Sequence, residues 1–153
     1  MSGTGYGELL VDLGSGDKIH QAFEGLLPEG VQVMGINKLH ATIMYDVRNP
    51  DITPSKSNKV YKCKVTGVDQ LGDVGSKWAA AVILLECDEL QARFKELLSE
   101  GFEHSYPDLM IHVSLSYGQD TAEILPILKT LFDEGKLPKT ITLCNETWTP
   151  CKD

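Results

Sequence analysis

A chain of 153 residues with 42% apolar and 24% charged side chains has the length and balance of one domain around a full hydrophobic core, spanning 1–153. Its longest apolar run, Trp78–Leu85, falls far short of the roughly 20 residues of a membrane span. The start M-S-G-T-G-Y-G-E lacks the basic region and apolar core of a secretion signal, which leaves a cytoplasmic location as the expectation. The net charge of −8 argues against tracking long nucleic acid, because phosphate neutralisation needs a basic surface.

The first predicted element is a strand in Gly5–Gly14, after a Gly-rich start. Ser15 is placed to cap a helix whose apolar face is Ile19, Phe23, Leu26 and Leu27, and Pro28-Glu29-Gly30 ends it. Val31–Asp46 brings a strand region, and the proline- and serine-rich Arg48–Asn58 reads as a loop. Val60–Val68 alternates, with Lys62 and Lys64 on a solvated face. A turn at Leu71–Lys77 leads into Trp78–Cys87, the second strand of a hairpin. Asp88 and Gln91 have capping-box spacing ahead of the stripe Leu90, Phe94, Leu97 and Leu98, which Gly101 stops. Thr121–Gly135 predicts a third helix, with Pro126 in its first turn or at a kink. Lys139–Trp148 predicts a closing strand. The order β-α-β-β-β-α-β-α-β, with tight hairpin spacing, implies an α+β fold of mainly antiparallel sheets with helices outside.

Cys63, Cys87, Cys144 and Cys151 form no C-x-x-C pair, and no histidine stands at metal-finger spacing. They read as reduced thiols used as small apolar side chains, although a Cys144–Cys151 bridge stays open. No metal or cofactor is expected.

Two segments repeat one pattern. Leu39–Asp46 reads L-H-A-T-I-M-Y-D, and Ile111–Gly118 reads I-H-V-S-L-S-Y-G. In an extended strand His40 and Thr42 share one face, as do His112 and Ser114. Strict alternation sends Tyr45 and Tyr117 to the opposite, packing faces. The histidines stand 72 positions apart, close to half the chain. A single H-x-T carries little information; two copies inside strand-like alternations carry much more. His20 and His104 lack this context and read as surface residues.

The pattern suits metal-free cleavage of a phosphodiester beside a ribose 2′-hydroxyl. One group must take a proton from the attacking oxygen and another must give one to the leaving oxygen. Histidine serves both roles, since its ordinary pKa of about 6.5 lies near working pH. The hydroxyls of Thr42 and Ser114 are placed to donate to the non-bridging phosphate oxygens.

The duplicated H-x-[T/S]-apolar motif resembles that of the 2H phosphoesterases, whose two-lobed fold gives one motif strand per lobe to a shared cleft. With the length and the closing N-E-T-W-T-P, the chain resembles the small phage anti-CBASS phosphodiesterases. The resemblance implies hydrolysis of 3′–5′ bonds in cyclic di- and trinucleotides, particularly adenine-containing ones, with His40, Thr42, His112 and Ser114 as the catalytic set. It also implies evasion of host CBASS immunity from the host cytoplasm. The expected partner is a small cyclic oligonucleotide, not long nucleic acid or a membrane. Two other readings remain open: a 2H enzyme acting on RNA ends (a 2′,3′-cyclic phosphodiesterase or 2′–5′ ligase-like protein), and a non-catalytic cyclic-nucleotide sponge.

Four further residues are candidates for substrate binding. Glu146 and Trp148 share a strand face, where an indole can stack on a base and a carboxylate can accept from an exocyclic amine. Tyr6 is a candidate stacking platform on an N-terminal arm, and Trp78, more naturally a core residue, opens a strand end that can reach a cleft.

Overall fold

Alternation of apolar and polar side chains dictates most of the architecture. The computed structural model describes residues 3–73 and 76–151. Strand β1 (Tyr6–Val11) leads through helix α1 (Leu13–Phe23) and a short 3-10 turn (Ile36–Lys38) into β2 (His40–Tyr45). The hairpin β3 (Tyr61–Leu71) and β4 (Ala80–Glu86) precedes α2 (Asp88–Ser99), β5 (His112–Ser114), α3 (Asp120–Asp133) and β6 (Thr140–Thr149). Among the described residues no helix is long and apolar enough to cross a membrane.

The strands form one six-stranded sheet in the order β2-β1-β6-β3-β4-β5, and every neighbouring pair is antiparallel. The expected α+β class and antiparallel pairing are therefore both present, in one continuous sheet. That order has an internal symmetry. Exchanging β1 with β4, β2 with β5 and β3 with β6 reverses it. Each half contains a strand, a helix and a motif-bearing strand (β1-α1-β2 and β4-α2-β5), and each motif strand lies at an outer edge. The two edges approach each other, and the Met34 N–H donates to the Leu115 carbonyl at 2.9 Å across the seam. Residues far apart in the chain are thereby drawn to one place.

The apolar stripes of the helices, including Ile19, Phe23, Leu90, Phe94, Ile124 and Leu128, join Ala41, Ile43, Ile83 and Val113 from the strands in one buried cluster. The alternate strand positions are left to the opposite face of the sheet.

Several local expectations are corrected. Asp12, not Ser15, caps α1, accepting from the Ser15 N–H at 2.8 Å; the Ser15 hydroxyl instead accepts from the Thr142 N–H. The helix ends at Phe23, so Leu26 is half exposed. No capping box forms on α2, because the Gln91 amide donates to the Leu109 carbonyl at 3.0 Å. Asp88 and Glu89 still favour that helix start electrostatically. Helix α3 begins at Asp120 and runs through Pro126, which therefore lies beyond the first turn. All four cysteines are free, with Cys63 and Cys87 buried.

Candidate active site

The first motif folds as alternation predicts, up to a point. His40 and Thr42 are half-buried, whereas Ala41 and Ile43 are buried. Leu10 pairs with His40 and Glu8 with Thr42, so the half-buried residues of β1 lie beside the motif. Then the register slips: Glu8 opposes Thr42 but Gly7 opposes Met44, which leaves Ile43 as an extra residue. Ile43 and Met44 are both buried. A β-bulge of this kind reverses the parity of everything after it. Tyr45, expected to pack away from the histidine, turns to the open side, where it lines a cavity.

Tyr117 is corrected for a related reason. Strand β5 is only three residues long, and Leu115 and Ser116 are both buried after it. The Thr121 hydroxyl donates to the Ala79 carbonyl at 2.8 Å and accepts from the Ser116 hydroxyl at 2.8 Å. This fastening breaks the alternation and places Tyr117 on the cavity rim, 48% exposed.

The cavity has a volume of about 770 Å³, toward the upper end for small-ligand sites. It brings together Tyr6 and Thr42 from one half of the sheet with Trp78 and His112 from the other. His40 and Ser114 stand on the same strand faces as Thr42 and His112 but do not line the cavity; Ser114 is buried and His40 half-buried. Tyr6 belongs to β1 and not to a loose arm. Its hydroxyl is 3.2 Å from Thr42 Oγ1, its ring meets Tyr45 edge-on at 6.4 Å, and burial pushes its pKa up to about 12. Trp78, read more naturally as core, is 69% exposed at the cavity wall, with Lys77 Nζ 5.1 Å from its ring centre.

The two motif histidines are held alike. His40 Nδ1 lies 2.9 Å from the Lys38 carbonyl oxygen, and His112 Nδ1 lies 2.8 Å from that of Met110. A carbonyl only accepts, so each ring carries its hydrogen on Nδ1 and leaves Nε2 free. In both motifs the anchor is the residue two positions upstream. Glu8 Oε2 lies a further 3.7 Å from His40 Nδ1.

Glu146 and Trp148 do not line this cavity, a correction to their expected base-reading role. The Glu146 carboxylate is 3% exposed and accepts two hydrogen bonds from Arg93 and one from the Trp148 indole N–H at 3.0 Å. The indole stacks on Phe102 at 4.8 Å. A buried guanidinium on α2, which nothing in the local strand pattern signals, has claimed the carboxylate.

His104 was expected at the surface. It lines the cavity together with Tyr106 and Asp108, which the sequence did not single out. Burial lowers its pKa below the ordinary imidazole value. Their signal would have been the density of aromatic and polar side chains in the short segment just before the second motif. Among the described residues, no three His, Cys, Asp or Glu side chains gather as a metal site would require.

A family model described as anti-CBASS protein Acb1 matches residues 26–146. That range contains both motifs, the cavity segment before β5 and most of β6. No curated protein matches the chain.

Proposed function

The chain belongs to the anti-CBASS protein Acb1 family, and from that premise we propose that it is a metal-independent phosphodiesterase of the 2H type that opens cyclic di- or trinucleotides. The duplicated motif and the reversible strand order support the assignment to the two-lobed 2H fold. In that reading the halves β1-α1-β2 and β4-α2-β5 are the lobes, and the cavity is the cleft between them.

The observation that carries the reading is the matched pair of Nδ1–carbonyl anchors on His40 and His112. Each fixes a tautomer and leaves Nε2 for proton transfer. One imidazole, neutral, accepts the proton of a ribose 2′-hydroxyl at Nε2. The 2′-oxygen bonds to phosphorus, the P–O5′ bond breaks, and the other imidazole, protonated, gives its Nε2 proton to the departing 5′-oxygen. The products of this step are a 2′,3′-cyclic phosphate and a free 5′-hydroxyl. Thr42 and Ser114 donate to the non-bridging oxygens, where charge must be held. The aromatic residues around the cavity give the bases faces on which to stack.

Mass spectrometry of the products from a panel of cyclic dinucleotides, cyclic trinucleotides and short linear RNAs tests this. Ring-opened nucleotides, formed equally well in EDTA, are the expected result. Tight binding with intact recovery would replace the enzyme by a sponge. Cleavage confined to RNA ends would move the chain to another branch of the 2H enzymes. An EDTA-sensitive rate would remove the metal-free mechanism.

A further inference from the structure

Around the two motifs the halves of the sheet match pair for pair, with one exception. Leu10 of β1 pairs with His40, and Leu84 of β4 pairs with His112. Two residues on, Thr42 stands opposite Glu8, whereas Ser114 stands opposite Val82. One half therefore carries a carboxylate where the other carries an isopropyl group. Direct partners in a sheet share a face, so Glu8 lies beside the first motif, with its Oε2 3.7 Å from His40 Nδ1. Both side chains are half-buried. Among the described residues no carboxylate pairs with His112, whose Nδ1 lies on the Met110 carbonyl.

Two identical imidazoles would serve the displacement poorly. It needs one ring protonated and the other neutral. In equal surroundings, half of the singly protonated molecules carry the proton on the wrong ring. A negative charge close to one ring attracts its cation and does little for its neutral form. The other ionisable groups nearby do not supply this bias. Tyr6 and Cys144, which pairs with Leu10 from β6, are kept neutral by burial, as is His104. Asp108 lines the cavity but pairs with neither motif histidine, and the Lys38 side chain is exposed to screening solvent.

We propose that Glu8 sets the direction of proton transfer, holding the proton on His40 so that His40 is the general acid and His112 the general base. The assignment rests on the phosphodiesterase reading above and deepens it by giving each ring one role. Glu8 acts through His40 and is a positioning residue. His112 Nε2 takes the proton of the 2′-hydroxyl, and the 2′-oxygen bonds to phosphorus. The P–O5′ bond breaks with its electron pair going to the 5′-oxygen, and His40 Nε2 gives that oxygen its proton.

A cyclic dinucleotide whose bridging 5′-oxygens are replaced by sulfur tests this, because a thiol, with an ordinary pKa of about 8.5, leaves as its anion without the proton that an alkoxide needs. On this sulfur ring His40→Ala should recover to within about tenfold of the wild type, while His112→Ala should stay about 10²–10⁴-fold slow, as on the oxygen ring. Glu8→Gln keeps the shape and removes the charge. It should lower kcat on the oxygen ring about tenfold, the order that a unit charge supplies at this distance near a protein surface, with KM little changed, and should match the wild type on the sulfur ring. Its affinity for an uncleavable ring, in which 2′-O-methyl riboses block the nucleophile, should equal that of the wild type. A merely structural role for Glu8 would slow both cleavable rings alike. That outcome, or any other pattern of recovery between the two histidine variants, would overturn the assignment and leave the phosphodiesterase reading intact. Failure of the wild type to cut either ring would overturn both. The histidine variants carry the test if Glu8→Gln fails to fold.

Discussion

Arg93 on α2 and Glu146 on β6 meet through two parallel hydrogen bonds, Nε to Oε1 at 2.9 Å and Nη2 to Oε2 at 2.6 Å, with side chains 5% and 3% exposed. Arg93 also bonds the Ser55 hydroxyl and carbonyl and pairs with Glu96. Removing one member of a buried pair strands the other without solvent. Arg93→Ala should therefore cost about 3–5 kcal/mol of stability, read by urea denaturation. The double variant Arg93→Met, Glu146→Leu should recover much of that loss. A single variant as stable as wild type would show that the pair is solvated in solution.

His40→Ala and His112→Ala should each lower turnover of a cyclic dinucleotide by about 10²–10⁴-fold, the usual contribution of one positioned proton transfer. Binding of the uncleavable 2′-O-methyl ring should change little. The double variant should be little worse than either single one, since acid and base act on one displacement. Full activity in either single variant would remove that histidine from the mechanism.

Trp148 explains a glycine. A Cβ on Gly7 would sit 2.8 Å from the indole ring and 3.0 Å from Ile43 Cγ2. The indole cannot easily yield, because it is stacked on Phe102 and bonded to Glu146. Gly7→Ala should cost about 1–3 kcal/mol, the usual penalty for overpacking, and a thermal melt reads it directly. An unchanged melting temperature would mean that the indole has room to shift.

Much of this was legible in the sequence, because it depends on alternation alone. The motif faces of β2 and β5, the stripe Leu90, Phe94 and Leu97, and the β3–β4 hairpin follow from periods of two and 3.6. Tyr45 was misplaced because one extra residue, Ile43, inverts the parity of a strand, and nothing in I-M-Y marks a bulge. Tyr117 was misplaced because β5 stops after Ser114, where a buried hydroxyl pair replaces the strand. Glu146 shares a strand with Trp148 as read, but its partner Arg93 lies 53 positions away, beyond the reach of any local pattern. His104 is the same case: it lies outside any strand, and its place in the cavity is set by the Tyr45 N–H of β2, 59 positions away.

The Tyr6 hydroxyl stays protonated over any working range, because burial pushes its pKa up to about 12. It is therefore a permanent neutral partner for Thr42. Spectrophotometric titration should show one tyrosine ionising near that value, and Tyr6→Phe should delete the step. A tyrosine lost from the titration near pH 10 in that variant would contradict the buried placement.

Asp46 ties the end of β2 to the cavity wall, and its charge should show in acid. Its carboxylate accepts from Arg48 Nε at 2.9 Å, Arg48 Nη2 at 2.8 Å and the Glu103 N–H at 2.8 Å. The Arg48 bonds hold its pKa below the ordinary carboxylate value despite burial. A carboxyl whose pKa is lower folded than unfolded adds stability above the unfolded value, about 3.9, and loses it as the pH falls through the folded one. Asp46→Asn should therefore destabilise the protein by about 1–3 kcal/mol at neutral pH, and the gap from wild type should close below about pH 4. The same variant should weaken binding of the uncleavable ring, because the Glu103 N–H bond holds the start of the segment that lines the cavity from His104 onward. Denaturant midpoints from pH 7 to 3 measure the first effect. A gap that stays constant across that range would mean that Asp46 acts through shape alone and its charge contributes nothing.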